Sequence, residues 1–175
     1  MSCECCECGE RAAERSRVDE FESFYSSSYR RLFRDLLLVT ADLGDTEDVL
    51  LEAYGRAAVR WRKVRLLDSP EAWVRRVAIN VSLDVHRRRR RQRRAYARLN
   101  PAETHYEDLS LEVLDCLRRL SAEHRQVVVL HHLLGETVES IADIVGRPPG
   151  TVKGQLVRGR AALAALLSPA VEELS

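Results

Sequence analysis

Aromatic residues make up only 6% of this chain, and glycine and proline number eight and five. No alternating runs of Thr, Val and Ile mark strands, so helix is the favoured secondary structure. No stretch approaches 18 consecutive apolar residues, which argues against a membrane-spanning helix and against membrane insertion. The opening residues MSCECCECGE lack the apolar core of a secretory leader. Together these absences make the cytoplasm the expected compartment, where thiols stay reduced. Catalytic signatures are missing too. The chain has no glycine-rich phosphate loop, no HExxH motif, and no Ser or Cys nucleophile with an evident partner pair, so neither enzymatic activity nor a cofactor is expected.

What is present is charge, unevenly placed. The formal net charge is +1 over 175 residues, yet residues 85–99 carry eight Arg and no acid. Residues 100–116 carry five acids and no base, and residues 147–160 bring Arg147, Lys153, Arg158 and Arg160 with no acid. Such blocks create local fields that the whole-chain balance conceals. Two basic segments divided by an acidic one suggest two anionic contacts on one flexible chain.

The pattern divides into a polar Cys-rich tail at 1–17, expected to be disordered, a helical domain at 18–99, a flexible linker at 100–110, a second helical domain at 111–168 and a short tail at 169–175. In the first domain Phe21, Phe24, Tyr25, Tyr29, Leu32, Phe33 and Leu36 form an amphipathic stripe that Gly44 is expected to close. Asp45 is the expected cap of the next helix, with Val49, Ala53 and Ala57 on its buried face beside Leu50, Tyr54 and Trp61. Ser69 and Pro70 suit the N-cap and first position of a third helix, whose expected buried ladder is Trp73, Val77, Val81 and Val85. That helix runs into Arg87–Arg91 without a break. Arginines on a helix can neutralise phosphates and release counterions; a disordered basic tail and a nuclear-localisation-like cluster are the plainer alternatives.

In the second domain two helices break near Ser121. Val138, Ile141, Ala142 and Val145 then recur at helical spacing before Gly146, and a basic helix follows with Val152, Leu156, Gly159 and Leu163 inward. Two short helices joined by a glycine-containing turn, the second one basic, form the helix-turn-helix pattern. Lys153, Gly154, Val157, Arg158 and Arg160 remain for the outer face, where a recognition helix meets base edges in the major groove.

Other clusters carry less. Cys3, Cys5, Cys6 and Cys8 are spaced more tightly than structural zinc pairs and have no second pair, so no metal site is expected; redox-sensing thiols remain an alternative. Cys116 reads as packing. His131 and His132 are adjacent and expected on different helix faces, which argues against a shared metal.

These residues resemble a known family. GDTEDVLLEAYGRAAVRW is similar to sigma region 2, SPEAWVRRVAINVSLDVHRRRRR to its continuation, and LSAEHRQVVVLHHLLGETVESIADIVGRPPGTVKGQLVRGRAAL to sigma region 4. The match covers about 18–167, in the order of the small extracytoplasmic-function (ECF) sigma factors. The resemblance implies an all-α fold of two small domains, a region 2 bundle and a region 4 helix-turn-helix, acting as a promoter-specificity subunit of bacterial RNA polymerase. It implies docking of Glu47, Asp48, Glu52, Arg56 and Arg60 on the β′ clamp helices. Asn80 and Arg76, with Arg87 and Arg88 on phosphates, would contact the −10 element, and the loop at Leu66–Ser69 would capture a flipped base. Lys153, Gly154, Val157 and Arg158 would reach −35 bases, with Thr151 and Arg160 on the backbone. The β-flap, promoter DNA and an anti-sigma factor are the other implied partners. Three positions depart from the family: Leu51 stands for a usual Gln on the core-binding helix, which bears on polymerase affinity, and Gly154-Gln155 for Ser-Arg, which predicts a weaker or unusual −35 preference. The alternatives are a stand-alone helix-turn-helix regulator of duplex DNA and a protein-interaction adaptor.

Overall fold

A computed structural model describes residues 4–92 and 111–172, with side chains described over 14–84 and 112–167. The expected linker at 100–110, together with Arg93 and Arg94, lies outside the described residues, and the four N-terminal thiols lie outside the described side chains. Every regular element among the described residues is an α-helix. In chain order these are α1 (Glu4–Thr40), α2 (Leu43–Val59), α3 (Trp61–Val64), α4 (Pro70–Gln92), α5 (Leu111–Arg119), α6 (Ala122–His132), α7 (Val138–Val145) and α8 (Pro149–Glu172).

The helix starts follow local chemistry. Ser69 Oγ accepts from the Ala72 amide at 3.1 Å, Ser121 Oγ from His124 at 3.3 Å, and Thr137 Oγ1 from Ser140 at 3.1 Å. Each satisfies an amide that the first helical turn leaves without a partner. Gly146 ends α7 in the left-handed region at φ 63°, where the missing Cβ removes the penalty.

Four sequence expectations are corrected. The tail expected to be disordered over 1–17 is helical from Glu4, in keeping with the good helix formers Glu10, Arg11, Ala12, Ala13, Glu14 and Arg15. Helix α1 ends at Thr40 with Ala41 at φ 55°, before Gly44, and Asp42 caps α2 in place of Asp45 by accepting from the Asp45 amide at 2.9 Å. The buried face of α4 is Val74, Ala78, Ile79 and Ser82; Trp73, Val77 and Val81 are only partly buried at the edge of the core. Small Ala78 and Ser82 let α4 approach α2, and the Ser82 hydroxyl is satisfied by the Ile79 carbonyl at 2.7 Å. Helix α8 continues to Glu172, past the expected end at 168.

Helices α1–α4 pack as one unit, chiefly through α4 on α2 and α2 on α1, and α5–α8 as another, chiefly through α8 on α6. The two are not separate bodies. Helix α1 also packs on α6 and α4 on α7, and one continuous buried cluster runs from Leu32, Leu36 and Val39 to Val127, Leu130 and Ile141.

Candidate nucleic-acid and polymerase interfaces

The second unit presents α8. Its inner side is Val152, Gln155, Leu156 and Gly159. A Cβ on Gly159 would lie 2.7 Å from Val128 Cγ2 and 3.3 Å from the His124 carbonyl oxygen, so this glycine allows α8 to approach α6 at backbone distance. The turn before α8 is tied down: the Arg147 amide donates to Ala142 at 3.1 Å, and its guanidinium donates to Glu123 Oε1 on α6 at 3.0 Å. The outer side then carries Thr151, Lys153, Val157, Arg158 and Arg160 as exposed residues, with Gly154 half-buried among them. Val157 is 67% exposed, an apolar group standing in a basic, acid-free face. All six expected −35 residues lie on this helix, and a face of this charge at a helix-turn-helix can enter a major groove about 12 Å wide.

The two departures in α8 have different physical meanings. Gly154 is not required by packing: a Cβ there would meet only the Arg158 Nη2 atom, at 3.7 Å. Gln155 faces inward at 5% exposure, and its Oε1 has no hydrogen-bond partner among the described residues. Gln155 is thus a packing position rather than a groove contact.

The first unit presents two further faces. On α2, Glu47, Asp48, Glu52 and Arg56 are exposed, opposite the buried Val49, Leu50, Ala53, Tyr54 and Ala57. Glu52 and Arg56 pair at 2.8 Å one turn apart, an exposed pair of little energetic weight. Leu51 and Val59 stand on the same helix at 73% and 87% exposure; Val59 was not singled out by the sequence, because its helical period does not distinguish an exposed valine from a core one. On α4, Arg76 and Asn80 are exposed one turn apart. Arg87 follows Asn80 by seven residues, at nearly the same angular position, with Arg88 next to it, on an unbroken helix to Gln92. The preceding loop exposes Leu66 at 72% and Leu67 at 44%, apolar surface at the place assigned to base capture.

These faces lie on separate elements: α8 in the second unit, α2 and α4 in the first. Among the described residues no group of three His, Cys, Asp or Glu side chains is placed to hold a metal, and no helix is long and apolar enough to cross a membrane. Cys116 is buried, with its thiol 4.0 Å from the Leu166 carbonyl. The His131 and His132 rings, on adjacent residues of α6, meet edge to face at 4.8 Å; His131 Nδ1 is held 2.9 Å from the Glu136 carbonyl oxygen.

The architecture defines a class: an all-α DNA-binding chain in which a helix-turn-helix unit is joined to a second helical unit with its own basic helix. Residues 110–163 match the family model described as sigma-70, region 4. Over 151 residues the chain is 30% identical to an RNA polymerase sigma-E factor of Streptomyces coelicolor, covering 83% of this chain and 85% of that one. It is also 30% identical to the ECF RNA polymerase sigma factor SigM of Mycobacterium tuberculosis, over 84% of this chain and 76% of that one. A solved structure of the sigma factor RpoE in complex with the anti-sigma factor NepR, from Bartonella quintana, superposes with a TM-score of 0.66 at 21% identity, covering 85% of this chain and 97% of that one. At that identity the likeness concerns the fold. The chain belongs to the ECF sigma factors, the subunits that direct RNA polymerase to promoters.

Proposed function

We propose that this sigma factor reads a two-part promoter with two different helices while α2 holds the polymerase. Helix α8 takes the −35 element, with Lys153, Gly154, Val157 and Arg158 at base edges and Thr151 and Arg160 on the backbone. Helix α4 takes the −10 element through Asn80 and Arg76, with Arg87 and Arg88 on phosphates, and the exposed Leu66–Ser69 loop receives an unstacked base. Unstacking costs a few kcal/mol, offset by contacts in the receiving pocket. Glu47, Asp48, Glu52 and Arg56 dock on the β′ clamp helices, and the second unit docks on the β-flap. The chain acts in the cytoplasm, makes no covalent chemistry of its own, and binds an anti-sigma factor; the solved RpoE neighbour is in complex with the anti-sigma factor NepR.

The observation that carries this reading is the outer face of α8, basic and without an acid from Thr151 to Arg160, on a helix whose inner face is used in packing. The test is run-off transcription with core polymerase on a set of single-base promoter variants. Arg158→Ala should cost ~1–3 kcal/mol at one −35 position and relax the preference there. Uniform weakening on every promoter would place Arg158 on phosphate. Tight duplex binding with no polymerase complex would replace the sigma reading by a stand-alone regulator.

A further inference from the structure

We infer that three arginines latch the two helical units of the free chain together, and that this latch must open before both promoter elements can be held at once. The last carbonyls of a helix have no intrahelical donors and form the negative end of its dipole. At the end of α1 these groups are met by donors from far along the sequence. Arg125 Nε of α6 donates to the Val39 carbonyl at 3.0 Å, and Arg118 Nε of α5 donates to the Ala41 carbonyl at 3.0 Å. Arg125 Nη1 also reaches the Leu117 carbonyl at 3.2 Å, so a single guanidinium joins α1, α5 and α6.

The third arginine works from the opposite side. Arg75 of α4 stands 3.6 Å from Asp35 of α1 and 3.6 Å from Glu136, in the turn before α7. All three side chains are largely shielded from water, at 25%, 13% and 22% exposure. Ion pairs in such a setting are weakly screened by salt. The apolar cluster shared by Val39, Leu130 and Ile141 lies alongside them.

Size supplies the second half of the argument, which rests on the two-element reading above. The longest element of the closed chain, the 37-residue α1, is about 55 Å from end to end, and α4 packs directly on α7, the helix before α8. Elements centred at −10 and −35 are about 25 base pairs apart, or ~85 Å along the duplex. The closed form leaves Asn80 and Arg158 exposed, so either element alone remains accessible to it. Both together do not. The Val39, Ala41 and Glu136 contacts must therefore break during assembly with polymerase and promoter.

The test compares the full-length chain with Arg118→Ala/Arg125→Ala and with Arg75→Gln by small-angle X-ray scattering. The latch predicts a compact wild type and a radius of gyration larger by about 5 Å or more in the double variant, with a smaller increase for Arg75→Gln. It also predicts several-fold more transcription from a two-element promoter when the sigma chain is limiting, with binding to a duplex carrying only the −35 element unchanged. An unchanged radius in variants that keep wild-type helix content, or an already extended wild type, overturns the latch. Should the double variant lose helix content by circular dichroism, Arg75→Gln decides, because it lies outside the helix-turn-helix. Absence of any transcription by the wild type would count against the promoter-directing reading alone, since the scattering result does not depend on it.

Discussion

The two units fill their interiors with different materials. Helices α1–α4 combine an aliphatic core of Leu32, Leu36, Leu37, Val49, Leu50, Val74 and Ile79 with buried Phe33, Tyr54 and Trp61, and these rings continue outward through Phe21, Phe24, Tyr29 and the exposed Tyr25 at centroid distances from 4.8 to 6.4 Å. The described residues of α5–α8 contain no Phe, Tyr or Trp, and their core is Leu, Ile and Val closed by Gly159. Large rings fill the space between helices and bring polar handles with them; the Tyr54 and Ser28 hydroxyls, 2.8 Å apart, share a buried hydrogen bond. Small side chains and a glycine instead draw α6 and α8 together, so that the opposite side of α8 stands clear for the major groove. The first unit adds linked rings and a buried hydroxyl pair to its aliphatic core; the second is built around a close helix pair that displays one surface.

This contrast sets the largest expected effect. Burial pushes the Tyr54 hydroxyl up to about 12, against the opposing effect of its hydrogen bond with Ser28. The folded-state value lies above the unfolded one, so the stabilisation is complete below pH 10 and is lost as pH rises toward 12. Roughly 2–3 kcal/mol should disappear over that window, with Tyr fluorescence and absorbance reporting the change. Tyr54→Phe should flatten the alkaline profile; an equally steep profile would detach it from the aromatic core.

Gly159→Ala tests the other half. The added methyl would meet Val128 and the His124 backbone and push α8 off α6, at a cost of about 1–3 kcal/mol. Thermal unfolding should show the loss, and −35 binding should fall while polymerase docking through α2 persists. An unchanged melting temperature would mean that the helix pair is looser than its geometry indicates.

The smallest effect has the opposite sign. Gly154→Ala places a methyl in ordinary contact with Arg158 and should raise stability by about 0.5–1 kcal/mol, the usual penalty of a helical glycine. If promoter selection shifts in the same variant, Gly154 is kept for the groove rather than for the fold.

The same contrast explains what could be read from the sequence. The helix-turn-helix was legible because each of its signals is local: the Val138, Ile141, Ala142 and Val145 spacing, the turn at Gly146, and the basic outer face from Lys153 to Arg160. The exposed α2 face was legible for the same reason. The α4 face was not, because a ladder on Trp73, Val77 and Val81 and one on Val74, Ala78 and Ser82 differ by a single residue, and tertiary fit chose the smaller side chains. The junction at Asp42 was missed since Gly44 and Asp45 offer the stronger stop and cap signals. The arginine contacts to Val39 and Ala41 leave no sequence trace at all, because their acceptors are backbone carbonyls that every residue possesses.

Promoter selection by one chain through two separate helices is decided by mapping the transcripts that core polymerase makes from random genomic fragments with and without this protein. New start sites should share one −10 and one −35 sequence at fixed spacing, with the −35 part altered by Arg158→Ala and the −10 part by Asn80→Ala. Start sites identical to those of core polymerase alone, or a shared sequence indifferent to both substitutions, would contradict it.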